Sequence, residues 1–167
     1  VLAWRLPVSR LNRLIDDEDR EVRVTVADRL PPGQLETLAS DPDYLVRHTV
    51  AKRLPAGRLF SLMCDRDSEV RRMVARRLPQ ASLALMQYDS EDAVRLVVVE
   101  RMDAEQAVVM LSDLDWRIRL HAVMKVPLKD VASMLNDADE EVRAVARERL
   151  EAADGYDAAE YPGTKST

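Results

Sequence analysis

One dipeptide returns along this chain at a fixed interval. Val22-Arg23, Val46-Arg47, Val70-Arg71, Val94-Arg95, Ile118-Arg119 and Val142-Arg143 stand 24 residues apart. An aspartate keeps the same step as Asp17, Asp41, Asp65, Asp89, Asp113 and Asp137. Arg-Leu-Pro closes the stretch at 5–7, 29–31, 53–55 and 77–79, then drifts to Arg101-Met102-Asp103, Lys125-Val126-Pro127 and Arg149-Leu150-Glu151. A period of roughly 20–50 residues is the mark of a solenoid, because a unit that short cannot bury its apolar face except against its neighbours. The repeats therefore predict an array over residues 1–151, its first unit truncated, followed by an acidic, partly disordered tail or loose cap at 152–167.

Each unit reads as two helical legs. Asp41-Pro42 resembles a helix start, Asp being a good N-cap and Pro suiting the first helical position. Acids two residues later (Asp19, Asp43, Asp67, Glu91, Asp115, Asp139) suit the positive end of the helix dipole. A helix of about twelve residues should then run to Pro31, Pro55, Pro79 or Pro127. Beyond the proline come apolar pairs three apart, such as Leu35/Leu38, Leu59/Leu62 and Leu83/Met86. That spacing eclipses side chains on a 3₁₀ helix, so a short 3₁₀ return is expected. Ordinary leucine-rich repeats share this period but need a strand in L-x-x-L-x-L-x-x-N. No segment here alternates at period two, and that reading fails.

The two basic columns decide what such an array can bind. At 100° per residue Arg23 falls inside the apolar arc of Val22, Val26, Leu30 and Ala27. A core-facing column of unpaired charge would be very costly. The matched aspartates are the natural partners, since a guanidinium fork pairs bidentately with a carboxylate. A ladder is therefore expected along Asp17, Asp41, Asp65, Asp89, Asp113 and Asp137 with Arg23, Arg47, Arg71, Arg95, Arg119 and Arg143, each Asp also capping its own helix. The rival reading is a phosphate-binding arginine stripe. The second column (Arg5, Arg29, Arg53, Arg77, Arg101, Lys125, Arg149) lies in the last helical turn, where cations suit the dipole and their stems cover apolar surface. Its rival is a row that binds polyanions.

Composition narrows the function classes. The net charge is −5 over 167 residues, and the tail from Glu151 holds four acids and one lysine, leaving about −2 for the repeats. So balanced a surface argues against tight nonspecific nucleic-acid binding. Cys64 is the single cysteine, which excludes an internal disulfide or a thiolate-rich metal site in these residues. His48 and His121 occupy different columns with no ligand at metal spacing, and read as solvated surface residues. The acid runs 16–19 and 137–141 lack the Gly and terminal Glu of a calcium loop. There is no Gly-rich phosphate loop and no nucleophile elbow, so the chain is read as not an enzyme. No apolar run reaches membrane length and no signal peptide opens the chain, so cytoplasmic residence and no membrane contact are expected. The chain opens inside a repeat without Met, and a longer natural protein is expected.

The motif Asp-x-Asp-x-x-Val-Arg-x-x-Val-Ala-x-Arg-Leu-Pro, with Leu-x-x-Leu after it, resembles the leucine-rich repeat variant family. The resemblance covers residues 1–151 and implies an all-α fold, a right-handed superhelical solenoid of alternating α and 3₁₀ helices. The family is similar to HEAT repeats in its Asp and Val-Arg positions. In its iron–sulfur branch a cysteine-rich N-terminal segment binds a [4Fe-4S] cluster, and members occur near nitrogen-fixation genes. Those cysteines have no counterpart here. The resemblance thus implies no cofactor within this chain, and a [4Fe-4S] cluster only in a missing upstream segment.

Outward helix positions carry the remaining signal. Leu96, Trp116, Leu120 and Met124 put apolar side chains on the outer face of the fourth and fifth units, as a possible partner surface; the alternative is that they pack beneath an irregular neighbouring unit. The expected function is a noncatalytic scaffold for an unidentified protein partner, as the repeat part of a larger [4Fe-4S] protein linked to nitrogen fixation. One alternative is an iron–sulfur redox or cluster-handling protein whose solenoid docks a partner. A second is a nucleic-acid-binding HEAT-like solenoid.

Overall fold

The computed structural model describes residues 2–160, with side chains described from Ala3 to Ala153. Among the described residues every regular element is helical, and α and 3₁₀ helices alternate. By its contacts the chain divides into two compact units, residues 1–86 and 87–167.

In the first unit a 3₁₀ turn, Leu2–Arg5, leads to α1 (Val8–Leu11) and a further 3₁₀ turn, Asn12–Leu14. The full-length helices α2 (Arg20–Arg29), α3 (Tyr44–Arg53) and α4 (Ser68–Arg77) follow, each succeeded by a 3₁₀ segment: Pro32–Leu38, Ala56–Leu62 and Gln80–Met86. Helix α3 packs against both α2 and α4. In the second unit α5 (Asp92–Arg101) and α6 (Trp116–Val123) are adjacent, and the 3₁₀ segment Gln106–Ser112 lies against α6. Then come α7 (Leu128–Val131), a 3₁₀ turn at Ala132–Asn136, and α8 (Glu140–Glu160), which packs on α6.

The helices begin two residues later than the sequence suggested. Asp43 is the N-cap of α3, its carboxylate accepting from the Leu45 backbone N–H at 2.8 Å. Asp19, Asp67 and Asp115 do the same for α2, α4 and α6. The ladder aspartates serve one step earlier. Asp41 accepts from the N–H of Asp43, as Asp65 does from Asp67, which holds the capping residue in place. The shift is the same in repeats with and without a proline after the ladder aspartate: the aspartate's carboxylate accepts the N–H two residues on, and this turn places the capping residue before the helix opens.

The helices span ten residues in α2 to α5, not twelve. Leu30, Leu54 and Leu78 still donate to the carbonyl four residues back but turn extended ahead of their prolines, and each is fully buried. Met102 takes the same extended conformation ahead of Asp103, with its side chain only 3% exposed. Packing therefore dictates this exit even where the proline is missing. The 3₁₀ segments that follow run seven residues, long for a helix with poorer hydrogen-bond geometry. Their triplet spacing stacks Leu35 over Leu38 and Leu59 over Leu62, all buried. Each such leucine contributes about 1.5–3 kcal/mol on leaving water, which offsets the weaker bonding.

Helix α8 continues past Leu150 to Glu160, into the stretch 152–167 read as an acidic, partly disordered tail or loose cap; residues 161–167 lie outside the described residues.

Candidate functional site

The conspicuous polar constellation is the charge network that joins successive repeats. Arg47 occupies the apolar face of α3 and is 4% exposed. Its Nε donates to Asp65 Oδ2 at 2.7 Å and its Nη2 to Asp65 Oδ1 at 2.9 Å, a bidentate pair reaching into the following repeat. Its remaining nitrogen, Nη1, donates to the Asp41 carbonyl at 2.8 Å, six residues upstream in its own repeat. Arg23 meets Asp41, Arg95 meets Asp113, and Arg119 meets Asp137 in the same way, with Nε–Oδ2 at 2.8 Å in each. Arg71 and Arg143 make the corresponding inward bond, to the carbonyls of Asp65 and Asp137 at 2.8 and 2.7 Å. Asp17 and Asp89 each accept the backbone N–H two residues ahead.

The charges respond to this enclosure. The Asp65 hydrogen bond raises the Arg47 pKa against the opposing effect of burial. Burial pushes the Asp65 carboxyl up, but the hydrogen bonds from Arg47 and from the Asp67 N–H outweigh it and the net shift is downward. Arg119 likewise lowers Asp137.

The second basic column does something the sequence did not disclose. Arg53 Nη1 donates to the carbonyls of Ala27 and Leu30 at 2.7 and 2.8 Å, capping the C-terminal end of the preceding helix α2. Arg77 caps α3 through Ala51 and Leu54, and Arg149 caps α6 through Val123 and Val126. Lys125 reaches three carbonyls, those of Val99, Glu100 and Met102, and burial lowers its pKa. Carbonyls orphaned at a helix end are thus satisfied from the next repeat. The spacing of 26 and 23 residues, just either side of the period, was the available clue.

The outer surface carries a different chemistry. Within residues 87–167 a groove of about 830 Å³ is lined by Leu114, Trp116, Asp92, Arg95, Arg117 and Arg119. Leu114 is 96% exposed and Trp116 is 38% exposed. Tyr88, 79% exposed, shares a second groove with Leu114. Asp115, cap of α6, receives Arg117, which also reaches Asp92 at 2.5 Å; the Arg117 hydrogen bond holds the Asp115 carboxyl down to about 2. Of the side chains read from the sequence as a partner surface, Trp116 and Met124 are exposed, while Leu96 and Leu120 are half-covered. Leu114 and Tyr88 were missed. Their signal is a large apolar side chain in a column otherwise small, polar or Pro: Glu18, Pro42, Arg66, Ser90 and Ala138 beside Leu114.

His48 and His121 are half-buried rather than solvated, and burial lowers the His48 pKa. Cys64 is exposed. Among the described residues no three His, Cys, Asp or Glu side chains cluster so as to hold a metal, and no helix is long and apolar enough to cross a membrane. A [4Fe-4S] cluster takes four thiolates. The donor set of this chain, one exposed cysteine, does not fit it.

Comparison with known proteins agrees with the repeat geometry. The family model described as leucine rich repeat variant matches residues 20–43, one full period. A solved structure described as a leucine-rich repeat variant with a novel repetitive structural motif is 49% identical, with a TM-score of 0.84 over 89% of this chain. The repeat array belongs to the leucine-rich repeat variant family. The chain spans 63% of the length of that relative. The Escherichia coli protein YibA shares the fold at 18% identity, with a TM-score of 0.51 over 86% of this chain and 70% of its own. Comparison with curated proteins gives no match. Within each of the two units of this leucine-rich repeat variant, short α and 3₁₀ legs are tied by arginine–aspartate pairs and by basic caps from the following repeat.

Proposed function

We propose that this leucine-rich repeat variant array is a noncatalytic scaffold that binds a protein partner through the outer surface of residues 87–167. The observation that carries this reading is how the cations are used. Arg23, Arg47, Arg95 and Arg119 are bound to carboxylates, and Arg53, Arg77, Lys125 and Arg149 to helix-end carbonyls. Cations committed in this way are poor readers of phosphate, so the rival polyanion stripe loses its donors. The exposed Leu114, Trp116 and Tyr88 are the kind of apolar cluster that contacts another protein.

A photo-crosslinking residue at position 114 in the intact protein tests the surface. Specific capture of one partner, lost on Trp116→Ala and absent from a crosslinker at Glu36, supports it; indifference to Trp116→Ala overturns it. Salt-sensitive retention of the chain on DNA at about 50 mM salt would favour the nucleic-acid alternative instead. Attachment to an iron–sulfur module rests on the family resemblance. Iron analysis of the longest natural protein containing this chain decides it: four iron atoms per chain support the link, and an iron-free product removes both it and the cluster-handling alternative.

A further inference from the structure

The arginine–aspartate device closes four times within the two units and stands open once. Arg143 Nη1 donates to the carbonyls of Asp137 and Ala138, at 2.7 and 2.9 Å, as its counterparts do in their own repeats. Its Nε and Nη2, the pair that grips a carboxylate in Arg23, Arg47, Arg95 and Arg119, meet no carboxylate among the described residues. The reason is in the sequence. The aspartate partner always lies 18 residues ahead, and 18 residues after Arg143 stands Tyr161. The hydrophobic column breaks at the same place: Leu30, Leu54, Leu78 and Val126 are fully buried, whereas Leu150 is half-exposed.

We infer that the Arg143 face of α8 is a docking site for a helix-start aspartate of another polypeptide, a segment of the form Asp-x-Asp ahead of a helix with an apolar pair before it. The inference shares with the scaffold reading only that the partner is protein. Charge complementarity sets the occupant. The guanidinium is held in place by two carbonyls, is half-buried, and presents two parallel N–H groups to whatever lies beyond. A planar carboxylate is the group that satisfies both at once. Within the array, an aspartate two residues before an N-cap supplies it, with the oxygens at 2.7 to 3.1 Å from the fork. An incoming segment of that form also brings aliphatic side chains to cover Leu150.

The test uses the whole chain and a labelled synthetic peptide with the sequence of residues 128–150, which carries the Asp137-x-Asp139 start. Binding is followed by fluorescence anisotropy and by the Nε–H signal of Arg143. Binding is expected, with the Arg143 Nε–H becoming protected from exchange. Arg143→Lys keeps the charge but loses the fork, and should weaken the complex at least tenfold; Asp137→Asn in the peptide should do the same. Arg147→Ala, at an exposed position, and Leu114→Asp should leave it unchanged. No binding, equal affinity for the Arg143→Lys chain, or an Arg143 Nε–H already protected in the free chain would overturn the inference. Sensitivity to Leu114→Asp alone would do so as well, by returning the peptide to the other surface.

Discussion

Arg47 illustrates how one residue serves two repeats. It needs a carboxylate in the next repeat and a carbonyl in its own, and both are supplied within hydrogen-bond distance. Its pair with Asp65 is buried on both sides, at 4% and 5% exposure, so removing one partner strands the other. Arg47→Ala or Asp65→Ala should each cost about 3–5 kcal/mol, while Arg47→Met combined with Asp65→Leu should cost well under the sum of the two, the remaining loss coming from the Asp41 carbonyl and the Asp67 N–H. Urea denaturation of the two single variants and the double replacement measures this, and additive losses would refute the pairing. Protonation probes the same groups. The carboxyls of Asp65, Asp137 and Asp115 are depressed on folding, Asp115 to about 2. Their contribution to stability is therefore present above the unfolded-state value of about 3.9 and is lost as pH falls through the folded values. Melting temperature should hold from neutrality to roughly pH 4.5 and drop between about pH 4 and pH 2. Asp115→Asn should make that drop shallower.

At the scale of the element, α2, α3 and α6 are each closed at the start by an aspartate and at the end by a cation from the repeat that follows. The two caps differ in reach, and so should their loss. Asp43→Ala removes a local cap and should destabilise by about 1 kcal/mol, with α3 fraying at its start. Arg53→Ala leaves the Ala27 and Leu30 carbonyls of α2 without their donor, at about 1.5–3 kcal/mol for a charged hydrogen bond. Amide hydrogen exchange distinguishes them. Arg53→Ala should loosen the end of α2, a helix that does not contain the substituted residue; protection loss confined to α3 would refute the inter-repeat cap. Helix α6 fits the same scheme: it stops at Val123, and Lys125 turns its amine to the preceding helix end.

For the whole molecule, the division of labour is between a charge network spent on stacking and exposed apolar side chains, Leu114 foremost, that take no part in it, although Arg95 and Arg119 of the network line the same groove. Leu114 can be changed without disturbing the core because it is 96% exposed. Leu114→Asp should shift unfolding free energy by no more than about 0.5 kcal/mol. Crosslinking to the partner should nevertheless be lost from a neighbouring position. A large loss of stability would mean that this surface belongs to the fold rather than to a partner.

Period, helical character and the triplet-spaced return were legible in the sequence, because spacing is a one-dimensional property and each repeat writes it again. The burial of Arg47 was legible too, from its angle within the apolar arc. Which helix an arginine caps was not. Arg53 acts on Ala27 and Leu30, residues 26 and 23 positions away, and only stacking brings them together. Nor could the sequence show that Asp43 rather than Asp41 caps α3, since both are good caps until Asp41 has taken the N–H of Asp43 and the carboxylate of Asp41 has met Arg23. Leu114 lies outside the helical wheel altogether, in the turn before α6, and its exposure is decided by the groove around it. Periodicity is a property of the chain; the partner of each charge is a property of neighbours that exist only after the repeats have stacked.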